Sequence, residues 1–279
     1  MIDYYETKSQ PITRVMVWRA FQKIRANKGG SSIDAMSWSY LDANRNRKLY
    51  KLWNRLRSGS YFPKPVKAVA IPKRDGCTRK LGVLTLLDCI ARQVVRDVLE
   101  RHLAPIFHAT SFGYRPGRSA HDAVRQSGRN VFKHDFAIDL DIERFLDTID
   151  HKLLLKALGQ YCPHSWVRLC VERWLKAGLM AADHFHQTKA GTPQRGVISP
   201  LFANLFLQAA FDAWMAREHP EKPFERYADD VVVHCKTEKH AKFVLWSIEQ
   251  RLRTCKLTLH SGKTKIVNLR GRAMARYPK

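Results

Sequence analysis

The chain has 279 residues, 45% hydrophobic and 27% charged, which is enough for one large α+β domain or two smaller ones. Its 49 Lys and Arg against 25 Asp and Glu leave a net charge of +24, so a polyanion, nucleic acid above all, is the expected partner class. No apolar run reaches a membrane span, MIDYYETKSQ lacks a signal-peptide pattern, and six cysteines without a C-x-x-C pair suggest neither a zinc site nor a disulfide framework; a soluble, cytoplasmic chain with reduced thiols is expected.

Residues 12–30 read as an amphipathic helix, with Val17, Phe21 and Ile24 on one face and Gly29-Gly30 as the stop. Residues 44–80 hold twelve Lys or Arg and one acid, Asp75. Tyr50, Trp53, Tyr61 and Phe62 are interleaved with them, a mixture suited to stacking on bases while the charges follow phosphates. Within it, 66–83 predicts two short strands about a turn at Asp75-Gly76, with Lys73 and Arg79 flanking the turn. Residues 88–103 predict a helix whose Ala91, Val94, Val95 and Val98 share a face, with Arg92, Arg96 and Arg101 elsewhere.

The loop SFGYRPGR leads to a helix that Ser119 can cap. In 134–151, Phe136, Ile138, Leu140 and Ile142 alternate with Ala137, Asp139 and Asp141, the period of a strand with one apolar and one carboxylate face. Asp150 is placed to cap the next helix, and a further helix spans 164–177. Ser199-Pro200 reads as a cap and first turn for an all-apolar, buried helix. Strands around Asp229-Asp230, a helix over 239–254 and a final hairpin over 257–269 complete an α+β pattern with an antiparallel sheet backed by helices.

Adjacent carboxylates in an apolar, β-branched run such as FERYADDVVVH repel each other. If the strand of Asp139 and Asp141 neighbours that of Asp229 and Asp230, three or four carboxylates converge, a cluster that asks for divalent cations with oxygen ligands. Two such ions, surrounded by basic surface, are the layout of an enzyme that displaces phosphoryl groups.

RYADDVVV resembles the YxDD motif of reverse transcriptases. DLDIERFLDTIDH, GTPQRGVISPLFANLFL, SFGYRPGRSAHDAV, IPKRDGCTRKLGV and KLTLHSGKTKIV resemble further motifs of that family, in family order. Together, and with ANKGGSSID before them, they resemble the reverse transcriptases of bacterial group II introns. The resemblance implies the fingers and palm of a right-hand polymerase without a thumb. Expected divisions are an N-terminal extension and fingers at 1–90, palm at 91–150, an insertion at 151–195 and the YADD palm at 196–279. DNA-binding and endonuclease domains are expected to be missing.

The resemblance further implies two Mg²⁺ ions, with Mn²⁺ as a substitute, on Asp141, Asp229 and Asp230, with the Ile142 carbonyl completing one shell and Asp139 in support. Lys73 and Arg79 would hold the triphosphate, and Gln194, Phe145 and Leu146 would line the nucleotide site. Tyr227 and Arg115 would lie near primer and template, and Lys263 would be a proton donor to pyrophosphate. Partners would be RNA template or intron RNA, a DNA or RNA primer and dNTPs, with no membrane and with a homodimer allowed. Three departures stand out: Leu146 where the family has an aromatic that blocks a 2′-hydroxyl, Arg195 where Gly is common, and Leu84 where Pro is usual. The competing readings are an RNA-binding, maturase-type module with little polymerase activity, and a retron or CRISPR-associated reverse transcriptase.

Overall fold

Apolar residues at helical and alternating spacing dictate the elements of this computed structural model, which describes residues 9–27, 34, 36–72, 78–181, 184–193 and 196–270, the side chains of 78–80 excepted. The order is α1 (Arg14–Ala26), α2 (Trp38–Ala43), α3 (Arg45–Arg57), β1 (Val66–Pro72), β2 (Thr78–Val83), α4 (Leu86–Leu103), α5 (Ala120–Val131), β3 (Phe136–Leu140), α6 (Phe145–Thr148) and α7 (His151–Tyr161). It continues with α8 (Ser165–Lys176), β4 (Leu179–Ala181), β5 (His184–His186), α9 (Ser199–Leu207), a π-helical stretch (Gln208–Asp212), α10 (Ala213–Glu218), β6 (Phe224–Tyr227), β7 (Asp230–Cys235), α11 (Glu238–Thr254) and β8 (Lys265–Asn268).

Two compact units emerge, residues 1–102 with 158–199, and residues 103–157 with 200–279. Residue 90 lies within α4, whose Ile90, Ala91, Val94 and Val95 are buried.

In the first unit, α1 buries Val17, Phe21 and Ile24, and α3 buries Leu49, Leu52, Trp53 and Leu56. A four-stranded sheet has the order β2-β1-β4-β5, with β1 and β2 the expected antiparallel pair and β1–β4 parallel. The four interleaved aromatics divide in two. Tyr50 and Phe62 are 50% and 67% exposed, but Trp53 and Tyr61 belong to the core. Trp53 Nε1 donates to the Ile12 carbonyl at 2.8 Å, and the Tyr61 hydroxyl donates to Asp88. Burial pushes the Asp88 carboxyl up, against the pull of Arg92. Arg92, set off the apolar face by the sequence pattern, is also buried, 5.0 Å over the Trp174 ring. Its stacked, weakly hydrated guanidinium lets a helix bury a cation beside a carboxylate.

In the second unit a wholly antiparallel sheet has the order β6-β7-β3-β8. Ile138, Leu140, Val231, Val233 and Phe224 are buried, and α11 packs on β3, β7 and β8 through Ala241, Val244, Ile248 and Leu252. Strand alternation turns Asp139, Val232, His234 and Glu225 to the opposite face. There α5 covers the β6 side, where Asn130 Nδ2 donates to Glu225 Oε1 at 2.5 Å and Glu225 Oε2 lies 2.7 Å from His234 Nε2. Asp139 shares the Val232 row with Glu225 but lies on the β8 side, the more open one, its side chain 49% exposed against 4% for Glu225.

The segment expected as a final hairpin folds differently. Leu259 bridges Ile142, and β8 pairs with β3 in the same antiparallel sense, from Asp139↔Lys265 to Phe136↔Asn268. It is therefore one edge strand interrupted by an excursion over residues 260–264. Alternation alone cannot distinguish two arms that pair with each other from two that pair with the same neighbour. Ser199 also differs from expectation: it is the first residue of α9, and its hydroxyl donates to the Pro193 carbonyl at 2.8 Å.

The expected caps at Ser119 and Asp150 are formed. Burial pushes the Asp150 carboxyl up. The bond from Lys256 Nζ at 2.6 Å and that from the Leu153 N–H at 2.9 Å outweigh it, leaving the carboxyl below its usual range. Its stabilisation is present above the unfolded carboxylate pKa and is lost as pH falls through the depressed one. Asp150→Ala is expected to cost about 1–2 kcal/mol at neutral pH, and less in acid, in urea melts.

Candidate active site

Asp139 is the penultimate residue of β3, and Asp141 lies just beyond its end. The β3–β7 register closes at Leu140↔Val231. Extended by one step and then a second, it sets Asp141 opposite Asp230 and Ile142 opposite Asp229. The two carboxylate-bearing segments are thus neighbours, which is the condition under which the sequence pattern brings the carboxylates together. Between β6 and β7 the turn residues are Ala228 and Asp229, flanked by the pair Tyr227↔Asp230. Ala228 has φ 59°, a left-handed conformation that a residue with a Cβ adopts only under constraint.

The constraint is a buried network. The Arg226 and Asp212 side chains are both 0% exposed. Arg226 Nε donates to Asp212 Oδ1 at 2.8 Å and Nη2 to Oδ2 at 2.6 Å. Its Nη1 donates to the Ala228 carbonyl and to Asn204 Oδ1, both at 2.9 Å. Asn204 Nδ2 then donates to the Gly113 carbonyl at 2.7 Å. Asp212 ends the π-helical stretch, whose displaced carbonyls are met from α11: Arg251 donates to Ala210 and Ala209 at 2.8 and 3.1 Å. Such a bidentate pair fixes orientation as well as charge.

The SFGYRP loop closes the other side of β6. The Arg226 N–H donates to the Thr110 carbonyl at 2.9 Å, and the Phe112 N–H to the Arg226 carbonyl at 2.8 Å. A Cβ on Gly113 would lie 2.3 Å from the Ala228 nitrogen, so only glycine admits this approach. Gly113→Ala is expected to cost about 1–3 kcal/mol in a urea melt, because backbone must move.

The excursion over 260–264 secures Asp141. The His260 N–H donates to the Asp141 carbonyl at 2.8 Å, and the Glu143 N–H to the Thr258 carbonyl at 2.9 Å. Asp141 N–H donates to Thr264 Oγ1 at 3.4 Å. Because the bonds to this edge come from Asp141 and Glu143, the Ile142 carbonyl points to the edge where β7 runs. The same excursion carries Lys263, whose Nζ lies 2.8 Å from Asp141 Oδ2; Lys265 Nζ lies 3.7 Å from Asp139 Oδ2. Burial raises the Asp230 pKa, and Asp229, Asp141 and Asp139 raise it further against the opposing Lys263. Four carboxylates and a lysine therefore share one electrostatic neighbourhood.

Of the other expected site residues, Phe145, Leu146, Tyr227 and Arg115 lie in the second unit. Phe145 is 2% exposed and packs edge-on against Phe206 at 6.3 Å, so its ring belongs to the core, whereas Leu146 is half-buried. Tyr227 is 38% exposed beside the turn. Arg115 bends back into its own loop, with Nη1 donating to the His108 and Ser111 carbonyls at 2.7 Å each. Lys73, Gln194 and Arg195 lie outside the described residues; Arg79 is paired with Ile71 in β2, its side chain also outside them. Their two segments do meet within the first unit, where a Cβ on Gly82 would lie 2.7 Å from Pro193 Cβ. Sequence reasoning missed Arg226, Asp212, Asn204 and Gly113. The signal for Arg226 was a lone cation between Phe224 and Val231–Val233 in a strand pair with little room for solvent.

No helix among the described residues is long and apolar enough to cross a membrane. The family profile described as Reverse transcriptase (RNA-dependent DNA polymerase) matches residues 71–275. Group II intron-encoded protein LtrA of Lactococcus lactis subsp. cremoris is 32% identical over 189 residues, covering 67% of this chain and 31% of LtrA. Protein YkfC of Escherichia coli (strain K12) is 30% identical over 274 residues, covering 84% of this chain and 71% of YkfC. The chain thus spans about a third of the length of LtrA. Among solved structures, apo telomerase from Candida tropicalis, truncated from its C-terminal domain, is similar with a TM-score of 0.60 at 15% identity, over 74% of this chain and 50% of that one. Telomerase from Candida albicans, in complex with a TWJ fragment of telomeric RNA, gives 0.59 at 13% identity over 86% and 46%. At those identities the likeness concerns the fold alone, but the profile covers most of the chain, and with it the chain belongs to the reverse transcriptase (RNA-dependent DNA polymerase) family.

Proposed function

We propose that the chain is the fingers–palm portion of a group II intron-type RNA-directed DNA polymerase, which joins a deoxynucleotide to a primer 3′-hydroxyl on an RNA template. The observation that carries this reading is the meeting of Asp139, Asp141, Asp229 and Asp230 on the open end of one sheet, in a chain of net charge +24.

The donor set fits Mg²⁺, or Mn²⁺ in its place. Asp141, Asp229 and Asp230 offer hard carboxylate oxygens, Ile142 offers a carbonyl on the same edge, and the repulsion that raises the Asp230 pKa is what a cation relieves. No group of three or more His, Cys, Asp or Glu among the described residues is drawn together closely enough to hold a metal ion, and Asp141 faces Lys263 instead. The residues therefore match the ions in composition and charge, with an ammonium as the counter-charge to Asp141. Two bound ions supply charge stabilisation to an in-line displacement and lower the pKa of the primer hydroxyl.

The chain's own groups do the rest. Arg226 holds the turn so that Asp229 and Asp230 keep one orientation. Lys263 partly neutralises Asp141 and is available to the departing pyrophosphate. Tyr227 borders the primer end, and Leu146, next to the buried Phe145, borders the sugar. Lys73, Arg79 and Gln194 receive the triphosphate and the nucleotide. Arg115 acts through its loop, by seating the SFGYRP segment against β6.

A second reading, an RNA-binding maturase-type module, is supported by the similarity to LtrA and by the basic surface. One assay separates the two: extension of a labelled primer on RNA, with dNTPs and Mg²⁺, with and without chelator. Chelator-sensitive, template-dependent extension supports the polymerase. Salt-sensitive RNA retention without extension under any divalent condition sinks it and leaves the binding module.

A further inference from the structure

Helices α1 and α3 lie before residue 71, where the match to the family profile begins. They carry four and six Lys or Arg respectively and no Asp or Glu. Lys23 and Arg25 are paired with Asp97 and Asp42. For Arg14, Arg45, Arg47 and Arg57 no ion pair with a carboxylate is formed among the described residues. Among the described residues this charge is uncompensated, which favours an anion from outside.

The same two helices form a groove of about 470 Å³, within the range of small-ligand pockets. Its walls include Arg14, Val17, Trp18, Arg47, Tyr50 and Trp53. Trp18 and Tyr50 are 38% and 50% exposed, an unusual outlay of aromatic surface on so basic a face. Guanidinium groups lie over these rings. Arg14 is 4.9 Å from the Tyr50 centroid and 4.5 Å from that of Trp53, Arg57 is 5.4 Å from Trp53, and Arg45 is 5.7 Å from Trp18. A guanidinium stacked by its face keeps its N–H edges free, and those edges match phosphate oxygens.

We infer that this groove is a second nucleic-acid site, separate from the carboxylate centre, which takes an unpaired base of a single-stranded polynucleotide against Trp18 and Tyr50 with the adjoining phosphates on Arg14 and Arg47. A duplex offers only its phosphates, because its bases are stacked inside, and it would leave the two rings unused. An acidic peptide would meet the cations but would not need the rings. An unpaired base with its phosphates uses both. The inference does not depend on the polymerase reading, since no residue of the groove belongs to the sheet that carries the aspartates.

The test uses the full chain in EDTA, so that failure of the polymerase reading does not touch it. The probes are twelve-nucleotide RNA and DNA single strands with a central 2-aminopurine. Wild type is expected to bind at least one of them with a fall in 2-aminopurine fluorescence, and the comparison shows whether RNA or DNA is preferred. Tyr50→Ala is expected to weaken binding roughly tenfold to a hundredfold and to remove the fluorescence change, while Tyr50→Phe keeps both. Arg47→Ala is expected to reduce the slope of log K against log salt by about 0.7. Three results overturn the site: equal affinity and quenching in Tyr50→Ala, a duplex that binds as tightly and with the same dependence on Tyr50, or stronger competition by an Asp- and Glu-rich peptide than by the unlabelled strand. Tyr50 is half exposed, so its substitution leaves the core intact, and matching thermal melts of both Tyr50 variants check this.

Discussion

Asp229→Asn is expected to reduce templated primer extension by roughly a thousandfold or more while leaving the fold in place. The amide has the shape of the carboxylate but not its charge, so the hairpin turn persists and the counter-charge to a divalent cation is lost. Several kcal/mol of charge stabilisation disappear with it, and each 1.4 kcal/mol is a factor of ten in rate. Stability is expected to hold or to rise slightly, because Asp229 is among the groups that push the Asp230 pKa up. Single-turnover extension and a urea melt on the same preparation measure both halves. Extension within tenfold of wild type would remove Asp229 from the reaction.

The second large effect lies behind the site. Asp212→Ala leaves the Arg226 guanidinium buried with no carboxylate, and breaking such a pair costs about 3–5 kcal/mol. Replacing both partners with apolar residues of similar volume, Asp212→Leu with Arg226→Met, is expected to recover most of that stability. Extension is not expected to recover with it, because the Ala228 carbonyl and Asn204 Oδ1 lose their shared donor and the strained turn is released. The double variant therefore separates holding the fold from aiming the aspartates. If it restores both, Arg226 serves stability alone. If Asp212→Ala costs less than about 1 kcal/mol, the pair is not the brace that its geometry describes.

What was legible beforehand follows from which residues have only one physical reading. Asp139 and Asp141 alternate with Ile138, Leu140 and Ile142, a period that only a two-faced strand satisfies, and β3 has that form. The apolar residues of α9 could only be buried, and they are. Cations and aromatics have two readings. Arg226 and Arg92 are both fully enclosed, Arg226 by a bidentate carboxylate and Arg92 over an indole ring beside the charge of Asp88, and those partners lie 14 residues away for Asp212 and 82 for Trp174. Trp53 and Tyr61 went inward because each polar tip found a partner, in Ile12 and in Asp88. The 257–269 segment was misread for a different reason, since which strand it pairs with is a property of the sheet and not of its own alternation.

That last segment also bears on how the molecule behaves in a crowd. Among the described residues nothing pairs with the outer side of β8, so this border of the sheet is where another copy could add a strand. The excursion between Leu259 and Lys265 divides the border into two stubs, each too short to template a neighbour, and sets Lys263 and Lys265 along it. The kink that carries an ammonium to Asp141 thereby also guards against edge-to-edge aggregation, a hazard that grows whenever bound nucleic acid masks the chain's mutual repulsion.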